Sequence, residues 1–146
     1  MKVETYLKQG IMLDQRINYQ LKKLAELREN ACSIPAVMPK GGKVQISPEG
    51  DAPFVRALMR MEAQEERINR EIELLVELKD QIREVIGQVE DDNLRMVLAF
   101  KYLEGMSFEE IGDVLHANKS TVYRWHKQAV GKITLPENAI IAKFRF

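Results

Sequence analysis

The chain has 146 residues, a length that suits one domain or a small domain with an appendage. Apolar residues at 45% and charged residues at 30% exclude a disordered chain and favour a folded, helical one. The net charge is zero, but residues 93–146 carry eight basic against five acidic side chains, whereas residues 54–92 carry six against eleven. A basic surface is therefore expected at the C-terminal end.

Cys32 is the only cysteine, so an intrachain disulfide is excluded and a reducing cytoplasm is expected. The N-terminus has no apolar signal core, and no stretch reaches the roughly 18 apolar residues of a membrane span. His116 and His126 lack the spacing and the further ligand that a metal site with Cys32 would need. There is no catalytic constellation or glycine-rich phosphate loop, so we expect a protein that is not an enzyme and uses no cofactor, metal or membrane.

The first predicted element is a helix within residues 1–31, from about Val3 to Ala31. Its apolar residues follow a heptad that Asp14 and Arg28 interrupt. The inner positions are Leu7, Ile17, Leu21, Leu24 and Ala31, with Ile11 and Ala25 beside them.

Residues 32–53 are predicted to be a linker, because they hold four of the five prolines and three of the eight glycines. Within the linker, residues 43–46 (KVQI) alternate weakly and could form a short strand or an extended loop.

A long heptad helix is predicted over residues 54–90, with Asp51 as its N-cap and Pro53 in its first turn. A helix of this length is a rod of roughly 50 Å that needs a partner to bury its apolar stripe. The first helix, folding back as an antiparallel hairpin, and a second copy of the chain are both candidates. The stripe consists of Phe54, Leu58, Met61, Glu65, Ile68, Ile72, Leu75, Lys79, Ile82, Ile86 and Val89.

Three short helices are predicted over residues 91–133. Asp92 can cap the first, which has Gly105 at its end, and Ser107 with Glu110 forms a capping box for the second. The residues HAN (116–118) form the turn, and Asn118 can cap a third helix that runs to about Ile133. The predicted inward faces are Leu94, Val97, Leu98 and Tyr102 with Lys101 alongside, then Phe108, Ile111, Val114 and Leu115, then Val122, Trp125, Ala129 and Val130.

The outer face of the third helix has the composition of a DNA recognition helix. Arginine and lysine bind guanine edges or phosphates, and hydroxyl groups can hydrogen-bond to either. The predicted DNA-binding residues are Lys119, Ser120, Thr121, Tyr123, Arg124, Lys127 and Lys132.

The stretch FKYLEGMSFEEIGDVLHANKSTVYRWHKQAVGKI (100–133) resembles region four of bacterial sigma factors and the related helix-turn-helix of LuxR-type regulators. One departure is His116, which stands where these modules usually have a turn glycine. The resemblance runs through Tyr102, Glu104, Gly105, Ser107, Glu110, Ile111, Gly112, Leu115, Asn118, Thr121, Val122 and Ala129.

The order of helix, linker, heptad helix and C-terminal helix-turn-helix resembles phage late transcription regulators of the RinA/ArpU type. That resemblance implies a sequence-specific regulator, an activator of phage or mobile-element genes, which binds double-stranded DNA as a homodimer or higher oligomer. RNA polymerase is a further candidate partner. Nothing resembles sigma region two. Two alternatives remain open, a DNA-packaging protein like a terminase small subunit and a protein that binds RNA polymerase or a sigma factor without reading DNA.

The fold class expected from these elements is all-α, a long coiled-coil-like helical hairpin followed by a three-helix helix-turn-helix module. The tail, residues 134–146, could dock on the core, pair with a partner or contact RNA polymerase.

Overall fold

A computed structural model describes residues 1–33 and 53–143. Within these residues the chain has five α-helices and no strand, which confirms the all-α prediction. None of the described helices has the length and apolar character needed to cross a membrane. Asp51, the KVQI stretch and most of the linker lie outside the described residues. The helices are α1 (Val3–Ser33), α2 (Pro53–Ile86), α3 (Asp92–Tyr102), α4 (Phe108–Leu115) and α5 (Lys119–Gly131).

The chain divides into two compact units. One combines residues 1–15 with residues 73–146 and is called the discontinuous unit here. The other, residues 16–72, is called the inserted unit. Both long helices contribute one part to each unit.

In the inserted unit, α1 and α2 form an antiparallel pair. Nε of Arg16 lies 3.0 Å from Oε1 of Glu71, and Nη2 of Arg28 lies 2.6 Å from Oε1 of Glu65. Residue numbers rise along α1 while those of its partners fall along α2, so the two helices run in opposite directions. The predicted intrachain hairpin is therefore present in this unit, with Ile17, Leu24, Ala31 and Ile68 buried.

The predicted register of α1 is wrong at its middle. Leu21 is 43% exposed and Ala25 is also exposed, whereas Gln20 is buried. The amide nitrogen of Gln20 lies 3.5 Å from Oε1 of Glu71, beside Arg16. Gln20, which forms a polar cluster with Arg16 and Glu71, therefore lies at the inner position where the apolar pattern placed Leu21.

The predicted stripe of α2 is correct only in part. Ile68, Ile82, Ile86 and Val89 are buried, but Phe54, Leu58 and Ile72 are exposed. Leu78 and Val85, which lie off the stripe, are also buried. The buried face of α2 in the discontinuous unit is wider than a heptad because α1 and the tail both pack against it there.

The boundary between α2 and α3 differs slightly from the prediction. α2 ends at Ile86 instead of residue 90, and a turn at Gly87 follows. The N-cap of α3 is Asp91, whose Oδ1 accepts a hydrogen bond of 3.1 Å from the backbone N–H of Leu94. Asp92, the predicted cap, instead forms an exposed ion pair with Arg95 in the first turn.

The helices α3, α4 and α5 pack on one another as the predicted three-helix module. Their core is formed by Val97, Ile111 and Val122, which have no exposed surface. Val114 was predicted to be buried and is instead 50% exposed. Partly buried apolar side chains surround this core, namely Phe100, Met106, Phe108, Leu115, Ala117 and Trp125.

The tail docks on its own unit through three glutamine side chains. Gln88 donates to Thr134 O (3.2 Å), and the other two, from α1 and α2, each make a pair of hydrogen bonds. The amide of Gln81 donates to Asn138 O (3.0 Å) and accepts from Ile140 N (2.8 Å). The amide of Gln9 donates to Ile140 O (2.9 Å) and accepts from Ala142 N (2.8 Å). Each of these two carboxamides therefore pairs with the extended tail as a neighbouring strand would. Of the three predicted alternatives for the tail, docking is the one observed up to residue 143.

A tyrosine supports this arrangement. The hydroxyl of Tyr6 donates to Oε1 of Gln81 at 2.7 Å. Burial, and to a smaller extent the charge of Glu84, raises the pKa of Tyr6 to about 12. The phenol therefore keeps its proton and holds the glutamine amide in the orientation that binds the tail.

Candidate nucleic-acid interface

The entry into α4 confirms Ser107 as the N-cap, but Glu110 bonds back to the Ser107 hydroxyl and not to its backbone N–H, as the predicted capping box would require. Oγ of Ser107 accepts a hydrogen bond of 3.2 Å from the backbone N–H of Glu110, and the same hydroxyl lies 3.2 Å from the Glu110 carboxylate. Gly105, with φ of +69°, takes the left-handed conformation between α3 and α4. Both features fix the angle at which α4 leaves α3.

The turn between α4 and α5 is tight. His116 has φ 54° and ψ 44°, the left-handed conformation that a glycine adopts more easily. The N–H of Ala117 donates to Gly112 O at 2.9 Å and closes the turn. The turn predicted from the sequence is therefore kept with histidine at the position of the usual glycine.

Gly112 permits this close turn. A Cβ atom there would lie 2.5 Å from the backbone oxygen of Ala117 and 3.6 Å from Cγ2 of Val122. Since the nearest obstacle is backbone, a side chain could be accommodated only if the turn moved. The close approach at Gly112 is therefore made by the turn itself as well as by α5.

Asn118 caps α5, as predicted. Its Oδ1 accepts a hydrogen bond of 2.8 Å from the backbone N–H of Thr121. α5 ends at Gly131, two residues earlier than predicted, and Lys132 is its C-cap. Lys132 is consequently at the far end of the helix from the other candidate residues.

The structure places most of the predicted DNA-binding residues on the exposed surface of α5. Thr121 is only partly exposed, and its N–H is used by the Asn118 cap. Steps of four residues along a helix bring side chains into line. One line contains Lys119, Tyr123 and Lys127, and a second contains Ser120 and Arg124; all five side chains are exposed, as is that of Lys132.

The charges around α5 are uneven. Nζ of Lys119 lies 3.5 Å from Oε1 of Glu109 on α4, and both side chains are more than half exposed. Such exposed pairs contribute little free energy, so Lys119 remains available to a stronger anion. Nζ of Lys127 lies 5.6 Å from the ring centroid of Tyr123. Arg124 forms no ion pair within the described part of the chain.

His126 is the residue of this module that the sequence analysis missed. It is buried with Val122 and Ala129, whereas Trp125 and Val130, predicted to face inward, are only partly buried. Its Nε2 lies 2.5 Å from Oη of Tyr102 on α3. The steps of four and three from residue 122 to 126 and 129 indicate an inward face, but a polar residue carries no apolar signal.

Burial sets the protonation of this pair. It lowers the pKa of His126, with Lys101 and Lys8 acting in the same direction and Glu4 in the opposite one. Burial also raises the pKa of Tyr102. The imidazole is therefore neutral near pH 7, and the phenol keeps its proton and donates to Nε2.

A family model matches residues 33–134, which include α2 and the whole three-helix module. The chain belongs to the DUF1492 family of proteins of unknown function. No curated protein and no solved structure matches the chain. Membership in DUF1492 therefore does not identify an activity.

Proposed function

We propose that this DUF1492 protein binds double-stranded DNA through the α3–α5 module, with α5 in the major groove. We further propose that it is a cytoplasmic transcription regulator, an activator of phage or mobile-element genes like the RinA/ArpU-type proteins it resembles. RNA polymerase is a second proposed partner, because the module resembles region four of sigma factors, which act together with RNA polymerase.

The observation that carries this proposal is the arrangement of α5. Two lines of exposed polar and basic side chains start at its N-terminal turn, where Asn118 caps the helix. In helix-turn-helix proteins the N-terminal residues of the second helix contact base edges. Ser120 and Arg124 are therefore the proposed base-reading pair, and arginine pairs with guanine in a bidentate way.

The lysines of α5 serve phosphates in this proposal. Each contact between a lysine and a phosphate releases counterions, so affinity falls as the salt concentration rises. Lys119 would exchange its weak contact with Glu109 for a phosphate. Lys127 lies on the same line of α5, eight residues further along the helix. Binding to unrelated DNA should come mainly from these residues.

The test uses a duplex selected from a random library and a gel-shift titration. We expect Arg124→Ala to weaken specific binding by about 1–3 kcal/mol and to relax the preference at one base pair. Arg70→Ala on α2, an exposed arginine outside the module, is the matched control. Helix content should be unchanged in both variants. Equal affinity of the Arg124→Ala protein and the parent protein would contradict the proposed orientation of α5.

A further inference from the structure

A cavity of about 250 Å³ lies beside α5 in the discontinuous unit. Its wall includes three lysines from three helices, Lys8 on α1, Lys101 on α3 and Lys127 on α5. Among the described residues of the wall, Glu4 supplies the only carboxylate. The fixed charges of the cavity are therefore predominantly positive.

Two of these lysines are held in place by aromatic rings of the same wall. Nζ of Lys101 lies 4.5 Å from the ring centroid of Phe108, and Nζ of Lys127 lies 5.6 Å from that of Tyr123. The two rings meet edge to face, with centroids 5.8 Å apart. Within the residues that the structure describes, neither lysine forms an ion pair. Contact with a ring restricts each ammonium group while leaving its donors available.

His126 supplies a further polar group to the wall of the cavity. The residue is 94% buried, and within the described part of the chain its Nδ1 is buried without a hydrogen-bond partner. Because Nε2 accepts from Tyr102, the neutral ring carries its hydrogen on Nδ1. This N–H has almost no exposed surface, so His126 adds a neutral ring, and not a direct donor, to the wall of the cavity.

We propose that this cavity binds a phosphate group, held by the ammonium groups of Lys8, Lys101 and Lys127 with His126 at its wall. Its volume is below the roughly 300–1,000 Å³ of pockets for drug-sized ligands, which fits a small anion or the phosphate of a larger molecule. Charge-assisted hydrogen bonds from several donors are the usual means of holding phosphate.

The source of the phosphate can be the DNA backbone or a free phosphate compound. Tyr123 and Lys127 belong both to this cavity and to the exposed line of α5. A backbone phosphate next to the groove occupied by α5 is therefore one source, and this part rests on the proposed DNA binding. Binding of free phosphate does not depend on it.

Occupation of the cavity should be visible at His126. The charges that act on this ring are those of Glu4 and Lys8 on α1 and of Lys101 on α3. Tyr102 of α3 hydrogen-bonds to the ring and Phe108 of α4 meets it edge to face. Tyr123 and Lys127 of α5 share the cavity wall with it. An anion among these lysines offsets the charges that disfavour the imidazolium form. Its binding should therefore raise the pKa of His126.

The first arm of the test titrates the full chain with inorganic phosphate and follows the imidazole signals of His126 by NMR. We expect saturable shifts and a higher pKa of His126 at saturation. The double substitution Lys8→Gln with Lys101→Gln should weaken phosphate binding about tenfold or more. Lys22→Gln, an exposed lysine of α1 in the inserted unit, is the control for loss of charge, and thermal melting checks that each variant folds.

The second arm repeats the measurement with duplex DNA. If the DNA backbone is the source, DNA should shift the His126 signals, and the double variant should lower the salt slope of binding by about one per lysine. If DNA does not bind, but phosphate shifts the His126 signals of the parent protein and not those of the double variant, the cavity is a site for free phosphate. That result would contradict the proposed DNA binding without contradicting the phosphate site. Absence of any shift with both ligands, or equal weakening by Lys22→Gln, would overturn the proposal.

Discussion

At the scale of single residues, His126 links the protonation of the module to its stability. Its ring lies between Tyr102 and Phe108 in the buried part of the discontinuous unit. The ring is accommodated there in its neutral form because burial lowers its pKa.

This lowered pKa predicts a loss of stability in mild acid. As pH falls below about 6.5, the unfolded chain takes up a proton at this histidine before the folded chain does, so the free energy of unfolding decreases until the folded pKa is reached. Thermal melting from about pH 7.5 to about pH 5 should show this decrease, and His126→Gln should reduce it. His116→Gln is the control and should keep it; an unchanged pH dependence in His126→Gln would contradict the assignment.

A second prediction at the scale of single residues concerns Gly112. Gly112→Ala places a Cβ against the backbone oxygen of Ala117, so it should lower the free energy of unfolding by about 1–3 kcal/mol. Gly131→Ala on α5 is the matched control, since nothing lies within 4 Å of its added Cβ. Urea unfolding of both variants measures the difference. If both substitutions had the same effect, the close approach at Gly112 would not be the constraint.

The residue-scale features of the module could be predicted from the sequence where local chemistry decides them. The Ser107 and Asn118 caps depend on side chains bonding to backbone groups three residues away. His126 could not be predicted in the same way, because its burial depends on Tyr102, a partner 24 positions earlier. Val114 fits the apolar spacing of α4, but the described residues leave half of its surface exposed, because burial depends on neighbours that a local pattern does not specify.

At the scale of elements, the tail is held by hydrogen bonds from glutamine side chains of α1 and α2. Gln9 is only 4% exposed and satisfies both a donor and an acceptor of the extended tail. Its amide also donates to Tyr6 O at 3.1 Å, which keeps it in position. No local pattern in the sequence indicates such long-range pairing, which is why the tail remained open in the sequence analysis.

Removal of the Gln9 amide should release the tail. Gln9→Ala leaves Ile140 O and Ala142 N without their partner, so we expect a loss of about 1–3 kcal/mol in stability. Hydrogen exchange at the amide of Ala142 should accelerate. Gln15→Ala, an exposed glutamine of the same helix, should change neither quantity. Continued protection of Ala142 in Gln9→Ala would show that apolar contacts alone hold the tail.

The α1–α2 pair also shows what a heptad pattern can and cannot specify. The presence of the two helices follows from their apolar stripes and the proline-rich linker. The sequence leaves open the choice between an intrachain hairpin and a second copy of the chain, and the ion pairs of the structure decide it. The register does not follow, because Gln20 occupies an inner position beside the Arg16–Glu71 pair. Side chains of that pair are only 9% and 17% exposed, so a polar neighbour is favourable there.

At the scale of the whole molecule, the exposed part of the α2 stripe predicts self-association. Phe54, Leu58 and Ile72 continue the heptad but are 38–43% exposed. A second copy of the chain could cover them, as the stripe itself suggested. We expect light scattering to give the mass of a dimer, in keeping with the proposed regulator.

Substitution tests this expectation. Leu58→Glu should shift the population to the monomer, because burial of a charge in an apolar seam is unfavourable. Met59→Glu is the control, since Met59 is more exposed and lies off the stripe. A monomeric parent protein would contradict the prediction. A large closed ring would instead favour the DNA-packaging alternative.

The discontinuous unit has a consequence for synthesis on the ribosome. Residues 1–15, with the fully buried Tyr6 and Leu7, belong to the same unit as residues 73–146. Because the ribosome adds about 5–20 residues per second, several seconds pass before the segments that cover these side chains have been synthesised. The inserted unit is complete earlier, since all of its residues precede position 73. A nascent chain would therefore be able to form its hairpin before α5 and the tail have been synthesised.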